Sequence, residues 1–423
     1  MFCEVELWFQ SATLIKQKNN ILLMEKMVLK SGLTALYYPK KGNSVVVEVM
    51  IKVGSIHEKD NVRGISHFLE HIVFEGTKKR PTNQQISNEI ERIGGSFNAY
   101  TSTEKTCFYA KVLKKHFSIA ADVIADILQN PLLRDSDIEK EKNVVLKEIA
   151  MIYDEPRFYQ WILLQQNLFE KHPCKYPTYG SMESIKKLTK NKVLDFFRQH
   201  YISNNMVISV VGEVPNWKEE IQKRFVVGRG KLTKEMLSSE PALRKNKKIL
   251  RKKKILNTHL VLGFRGIPRN HADSYVLEVI NGILGRGQSG KMFNEIRSKR
   301  GLAYDVGTQI ICEKDYGYFA VYATIDKKNV ALVRDLMLQE IAKLKKISEK
   351  ELKEAQDYIE GNYLLEIEDT QKIADQLLFW EQIKNAEEME RYLKKIKKVK
   401  IADVRRAADK YLKKYVEVVL EGK

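Results

Sequence analysis

Apolar and polar positions along the chain fall into two stretches of the same plan. In the first, Phe97 to Thr103 and Thr106 to Val112 alternate as strands do, on either side of the polar turn Thr103-Glu104-Lys105. Lys114-Lys115 then leads into a helix with apolar positions at Ile119, Val123, Ile124 and Ile127. In the second, Val306 to Cys312 and Gly317 to Ala323 flank Glu313-Lys314-Asp315, and Lys327-Lys328 leads into a helix through Val330, Leu332, Val333, Leu336 and Met337. Each is followed by a charged helix start that reads as an N-cap, Asp135-Ser136-Asp137-Ile138-Glu139 in one and Ser348-Glu349-Lys350-Glu351 in the other. The pattern predicts an α+β fold of two duplicated domains, each a mainly antiparallel sheet with helices packed on one face, and not a doubly wound parallel sheet.

The first domain is expected over residues 24–228, where Val207 to Val211 makes a closing strand that ends at Gly212. The second is expected over 246–423, with 229–245, including Ser238 to Pro241, as linker. Residues 1–23 precede the first strand pattern, Met27-Val28-Leu29 then Leu33 to Tyr38, and read as an extension upstream of Met24.

Composition narrows the class. With 423 residues, 43% hydrophobic and 30% charged, the chain is neither disordered nor collagen-like, and it is long enough to bury two cores. No apolar run approaches the roughly 18 residues that span a bilayer, so no membrane association is expected. Cys3, Cys107, Cys174 and Cys312 lie far apart with no CxxC pair, against a disulfide framework or a thiolate zinc cluster. Residues 1–23 have no basic start or small-residue cleavage site, so a cytoplasmic location is expected. The net charge of +19 is densest in Arg244-Lys245-Asn246-Lys247-Lys248-Ile249-Leu250-Arg251-Lys252-Lys253-Lys254. That run has no interleaved aromatics to stack on bases, so it reads as a solvated linker entering a strand, with a basic nucleic-acid-binding protein as the less favoured alternative and no nucleic-acid partner expected.

The sharpest chemical signal is His67-Phe68-Leu69-Glu70-His71. On a helix the two imidazoles share a face and can reach one metal, with Glu70 beside them. A catalytic zinc needs a third protein ligand. The helix expected from Ile138 to Met151 offers Glu141 and Glu148, on one face and roughly 10 Å apart. Spacing alone does not choose between them, nor does it set aside Glu139.

The chain resembles the pitrilysin or insulinase family of zinc peptidases, specifically its short-chain bacterial members similar to mitochondrial processing peptidase. The likeness runs from Met24 to the C-terminus, through His67–His71, Gly94-Gly95-Ser96-Phe97-Asn98-Ala99, Val144-Val145-Leu146-Lys147-Glu148-Ile149, His172-Pro173 and Arg300-Gly301-Leu302-Ala303-Tyr304. The resemblance implies one zinc per chain held by His67, His71 and Glu148, Glu141 as an outer carboxylate that supports the site, and Glu70 as general base. It also implies Asn98 and Ala99 as contacts for the substrate backbone, and Arg297 and Tyr304 as catalytic groups that hold the substrate and its developing oxyanion. The second domain carries no HxxEH, and Gly290-Lys291 stands where relatives commonly have Ser-Arg after the glycine-rich turn. The function implied is hydrolysis of extended peptides in a closed chamber by a homodimer, or by a heterodimer with a second chain. The alternative within the same fold is a noncatalytic scaffold subunit.

Overall fold

The computed structural model of the chain describes residues 24–232 and 240–422, so the extension 1–23 and Ser238-Ser239 of the linker lie outside the described residues. Two sheets are formed. The first runs β1 (Glu25–Val28), β2 (Thr34–Tyr38), β6 (Met206–Val211), β3 (Ser44–Ile51), β5 (Thr106–Leu113) and β4 (Ser96–Thr101), antiparallel except for β2 beside β6. The second runs β7 (Lys247–Lys252), β11 (Tyr415–Glu421), β8 (Thr258–Arg265), β10 (Gly317–Ile325) and β9 (Ala303–Cys312), antiparallel except for β7 beside β11. Both expected hairpins are present, with β4 and β9 as corresponding edge strands.

The first five helices are α1 (Ile65–Ile72), α2 (Asn83–Glu91), α3 (Phe117–Gln129), α4 (Asp135–Asp154) and α5 (Pro156–Leu168). One face of the first sheet presents Val45, Val47, Val49 and Ile51 to its own helices, among them Phe68 of α1 and Ile124 of α3. The opposite face, with Val46 and Met50, packs into the core built by the second half, where helix Thr370–Ile383 lies across β3 and β6. The second sheet receives the reciprocal element: Leu163, Leu164 and Leu168 of α5 pack on Val261, Ala320 and Val418. Each sheet is therefore covered on one face by its own helices and on the other by a single helix from the other half. That explains why β3 and β6 are almost continuously apolar instead of alternating. Gly263 on β8 makes room for this docking, since a Cβ there would sit 2.2 Å from Leu164 Cδ1 and the leucine would have to move.

The two polar turns of the duplicated hairpins also meet. The buried Glu104 carboxylate accepts from the backbone N–H groups of Lys314 at 2.9 Å and Asp315 at 3.0 Å. Burial, with Glu313 close by, pushes its pKa up to about 8. One expected detail differs. Asp135 is the first helical residue of α4, and Arg134 holds the cap position without a side-chain cap bond. Asp135 and Asp137 instead place negative charge in the first turn, where the helix dipole favours it. Ser348 does cap its helix, accepting from Glu351 N–H.

Glu48, in the centre of β3, is fully buried where the helix Thr370–Ile383 crosses. It accepts from Gln371 Nε2 at 2.9 Å, and Tyr100 Oη, which donates to Asp375 at 3.0 Å, lies 3.4 Å from it. Burial first, and Asp375 second, hold its carboxyl well above the usual range and favour the protonated form. The folded chain retains that proton after the unfolded chain has released its own, so stability declines as pH rises past the ordinary value of 4.5. Thermal melts of Glu48→Gln are expected to lack this part of the decline, giving a higher Tm than the parent at about pH 8 and little difference near pH 4 to 5.

Candidate metal centre

The helix α1 has only eight residues, and its start is held from outside. Glu58 accepts from Gly64 N–H at 2.7 Å and Ser66 N–H at 2.8 Å, satisfying two amides that no helical turn reaches. Burial pushes the Glu58 pKa up to about 7, against the pull of those backbone bonds. Gly64 has φ 90°, and a Cβ there would lie 2.5 Å from Tyr179 O, so only glycine permits the chain to enter the helix at this point. Beyond it α1 packs against α4, which sets the His67 and His71 face towards Glu141 and Glu148.

The three sequence alternatives on α4 separate cleanly. Glu139 turns outward, its side chain 70% exposed and paired with Lys142 at 2.7 Å. Glu141 is buried and lies 2.9 Å from His71 Nδ1. Glu148 reaches the other side of the imidazoles: Oε1 is 3.6 Å from His67 Nε2 and Oε2 is 3.5 Å from His71 Nε2, while the two Nε2 atoms are 3.3 Å apart. Among the described residues His67, His71 and Glu148 form a group able to hold one metal ion.

The separations test whether zinc suits this donor set. Four ligands about 2.0–2.1 Å from a tetrahedral ion stand roughly 3.3–3.4 Å from one another. The imidazole nitrogens stand 3.3 Å apart, and each has one Glu148 oxygen at 3.5 or 3.6 Å, close to that spacing, so the three residues can close on one ion, and among the described residues no fourth ligand joins them. The two imidazoles differ: His67 is in the neutral form that a metal ligand needs, whereas the carboxylates around His71 favour a proton that metal would have to displace. Burial, then the neighbouring His71, pushes His67 down to about 3, so its imidazole is neutral. Burial also works against charge on His71, but the Glu141 hydrogen bond and the Glu148 and Glu70 carboxylates outweigh it and raise its pKa. The Glu141 bond directs His71 Nε2 at the cluster by engaging Nδ1, the arrangement that orients metal-binding imidazoles generally. The His67 Nδ1 atom is buried without a hydrogen-bond partner.

Glu70 is oriented by a residue that sequence reading missed. Thr101, at the end of β4, donates from Oγ1 to Glu70 Oε2 at 2.5 Å, which leaves Oε1 uncommitted. Burial raises the Glu70 pKa, with Thr101 and His71 opposing and Glu148 adding to the rise. The available signal was a hydroxyl two residues beyond Ala99 on the same strand. Tyr179, whose ring meets His67 edge-on at 6.5 Å, had none. Asn98 and Ala99 lie on the free edge of the first sheet, where Asn98 Oδ1 accepts from Ala99 N–H at 2.8 Å. Beside the donors, Val144 and Met151 flank Glu148 on α4 and are 43% and 70% exposed.

Arg297 and Tyr304 lie together in the second half. The Arg297 guanidinium sits 5.7 Å from the Tyr304 ring centroid and 5.0 Å from that of Phe293. Both are exposed, and among the described residues no hydrogen bond or ion pair joins them to the His67 group. Arg297 is carried on a π-helical turn, Phe293–Ser298, that no periodicity announces. Lys291 pairs with Glu351.

Residues 33–181, which contain the whole donor group, match the family described as insulinase, peptidase family M16, and residues 187–359 match the one described as peptidase M16 inactive domain. The chain is 33% identical to the uncharacterized zinc protease YmxG of Bacillus subtilis over 332 residues, 77% of this chain and 80% of that protein. The chain belongs to the insulinase family, M16. It is also 30% identical to the beta subunit of mitochondrial-processing peptidase from Dictyostelium discoideum, over 74% of this chain and 69% of that one. A protease of known structure from Helicobacter pylori shares its fold, with TM-score 0.87 over 94% of this chain and 99% of that one at 23% identity. Homologues of this M16 chain carry zinc-protease names, which supports a zinc peptidase at the level of the family. The description "inactive" attaches to the second matched stretch, which lies beyond His67, His71 and Glu148.

Thr101→Val keeps the shape of the side chain and β4, so zinc content should stay near that of the parent, with Tm lowered only by the loss of one hydrogen bond to a part-buried carboxyl. Cleavage should fall about tenfold or more, because Glu70 loses the bond that sets its orientation. Kinetics at several pH values check this, since the pH profile should move with the Glu70 carboxyl and Thr101→Ser should recover most of the loss.

Proposed function

We propose that the chain is a zinc-dependent endopeptidase acting on extended peptides, with one zinc held by His67, His71 and Glu148. The supporting observation is the close group of His67, His71 and Glu148 with Glu70 held beside it by Thr101, at the end of an edge strand. When bound, zinc supplies Lewis acidity, which polarises a carbonyl and brings the pKa of water down towards about 7. The chain's own residues do the rest. Glu141 fixes the His71 ring, and Thr101 holds Glu70 Oε2 so that Oε1 faces its task as base. Glu70 accepts the proton of the attacking water and returns it to the leaving amine, a role suited to a carboxyl whose pKa is raised by burial. The substrate backbone adds to β4 at Asn98 and Ala99, displacing the Asn98 side chain from Ala99 N–H, so recognition reads an extended chain more than particular side chains. The exposed Val144 and Met151 offer an apolar bed beside the bond that is cut.

Arg297 and Tyr304 complete the site from the second half, steadying the substrate carbonyl as charge develops on it. Because they share no bond with the donor group of their own chain, the reading assigns them to the donor group of a second copy, in a homodimer of domains 24–228 and 246–423 that encloses the peptide. Mixing a Glu70→Gln chain with an Arg297→Ala chain tests this. Each alone is expected to be nearly inactive, and exchange of subunits should restore one competent site per mixed dimer; no recovery after exchange is shown by mass measurement would exclude action in trans. A cytoplasmic location suits the three described cysteines, Cys107, Cys174 and Cys312, all free and buried. No helix among the described residues is long and apolar enough to cross a membrane.

A further inference from the structure

The peptidase reading leaves the basic run after the linker without a task, and its surroundings are specific. An open cleft of about 990 Å³ lies between the end of α5 and the start of the second sheet. Its rim carries Lys171, Lys175, Arg244, Lys245, Lys247 and Arg265 against a single carboxylate, Glu170. Some of these charges are already committed. Arg265 is 3.2 Å from Glu240, and Lys175 and Lys247 donate to Glu170 O and Asn167 Oδ1. Lys171, Arg244 and Lys245 are exposed, and among the described residues no hydrogen bond or ion pair engages their side-chain nitrogens.

Beneath the cleft lie Leu168 and Phe169, buried at the end of α5, and the half-buried Leu243 in the linker brings an apolar side chain to its surface. Out of this cleft the chain runs through Asn246 directly into β7, the edge strand of the second sheet. On one side β7 pairs with β11, and among the described residues no strand pairs with its other side, a row of backbone donors and acceptors flanked by Lys247, Lys248, Arg251 and Lys252. Lysines on an edge discourage pairing with copies of the same chain, and this chain's net charge of +19 adds long-range repulsion. The same edge favours a strand of opposite charge.

We propose that this cleft and the β7 edge form a docking surface for an acidic, extended segment of a partner polypeptide, which seats an apolar side chain in the cleft and continues β7 as an added strand. Charge complementarity selects the sign of the partner, and the open edge selects its conformation. Nucleic acid fits less well. Single strands bind through exposed aromatic faces, and the one ring lining the cleft, Phe169, is covered by the Arg265 guanidinium at 4.7 Å and by Tyr316 edge-on at 5.6 Å.

The test is fluorescence anisotropy on the full chain, with chelator present so that labelled peptide is not cut. The probes are a peptide of about ten alternating Glu and Val residues, long enough to line β7, its Gln/Val counterpart, and a single-stranded DNA of matching charge. The acidic peptide is expected to bind, to weaken as salt rises, and to lose about tenfold or more in affinity with Lys171→Gln/Arg244→Gln/Lys245→Gln while Glu70→Gln binds as the parent does. Hydrogen exchange should show slowed β7 amides in the peptide complex, a readout that needs no variant to fold. Equal binding of the Gln/Val peptide, tighter binding of the DNA, unchanged affinity in the triple variant, or unprotected β7 amides would each overturn the proposal. None of these outcomes depends on whether the metal centre is active.

Discussion

Glu70→Gln is expected to bind zinc as the parent does and to lose cleavage by about two to four orders of magnitude, the usual contribution of a positioned general base. The glutamine amide has the shape of the carboxylate, and its oxygen can still accept from Thr101 Oγ1, so the packing of α1 against β4 survives. What it cannot do is take a proton. None of the three donor atoms belongs to residue 70, so metal content separates this variant from one that damages the site. Activity of more than about a tenth of the parent in Glu70→Gln would remove Glu70 from the proton-transfer role.

His71→Ala is expected to lose zinc and cleavage together, and some stability as well. The substitution deletes one of three donors, and it also strips the buried Glu141 of its 2.9 Å partner. A buried carboxylate left without that bond costs about 1–3 kcal/mol or more, which should appear as a lowered Tm even in metal-free protein. Metal analysis and thermal melts of the two variants side by side check the division of labour. Zinc lost equally from Glu70→Gln and His71→Ala would refute it, since only His71 supplies a donor atom.

Much of this arrangement is legible in the sequence because it depends on local periodicity. The hairpins at 96–113 and 303–325 follow from strand alternation around polar turns, and the His67/His71 pair follows from the helical repeat. The choice among Glu139, Glu141 and Glu148 is not local. It depends on the angle at which α4 meets α1, and spacing along one helix carries no information about that angle. The Thr101 bond to Glu70 spans 31 positions and joins a helix to a strand edge, and the Glu58 cap reaches Ser66 from a separate segment. Neither leaves a trace in composition. The exchange of α5 and helix Thr370–Ile383 between the sheets is equally silent, because an amphipathic helix states that it has an apolar face but not which sheet covers it.

The fold also explains why an edge strand and a metal helix can cooperate. On β4, Tyr100 turns towards Glu48 and Asp375 of the opposing helix, while its neighbour Thr101 turns towards Glu70. Successive side chains of a strand point to opposite faces, so one strand is tied both to the contact between the halves and to the proposed base. A shift of β4 on binding peptide would be felt at both.

If His67, His71 and Glu148 hold zinc that cuts peptides, cleavage must follow the metal. The most direct measurement is zinc content and cleavage of a quenched fluorogenic peptide library, made on the same purified sample before chelation, after chelation and after zinc is restored. About one zinc per chain, with cleavage that disappears on chelation and returns with zinc, is the predicted result. Absence of bound zinc, or cleavage that persists after its removal, would rule out a zinc peptidase built on these residues.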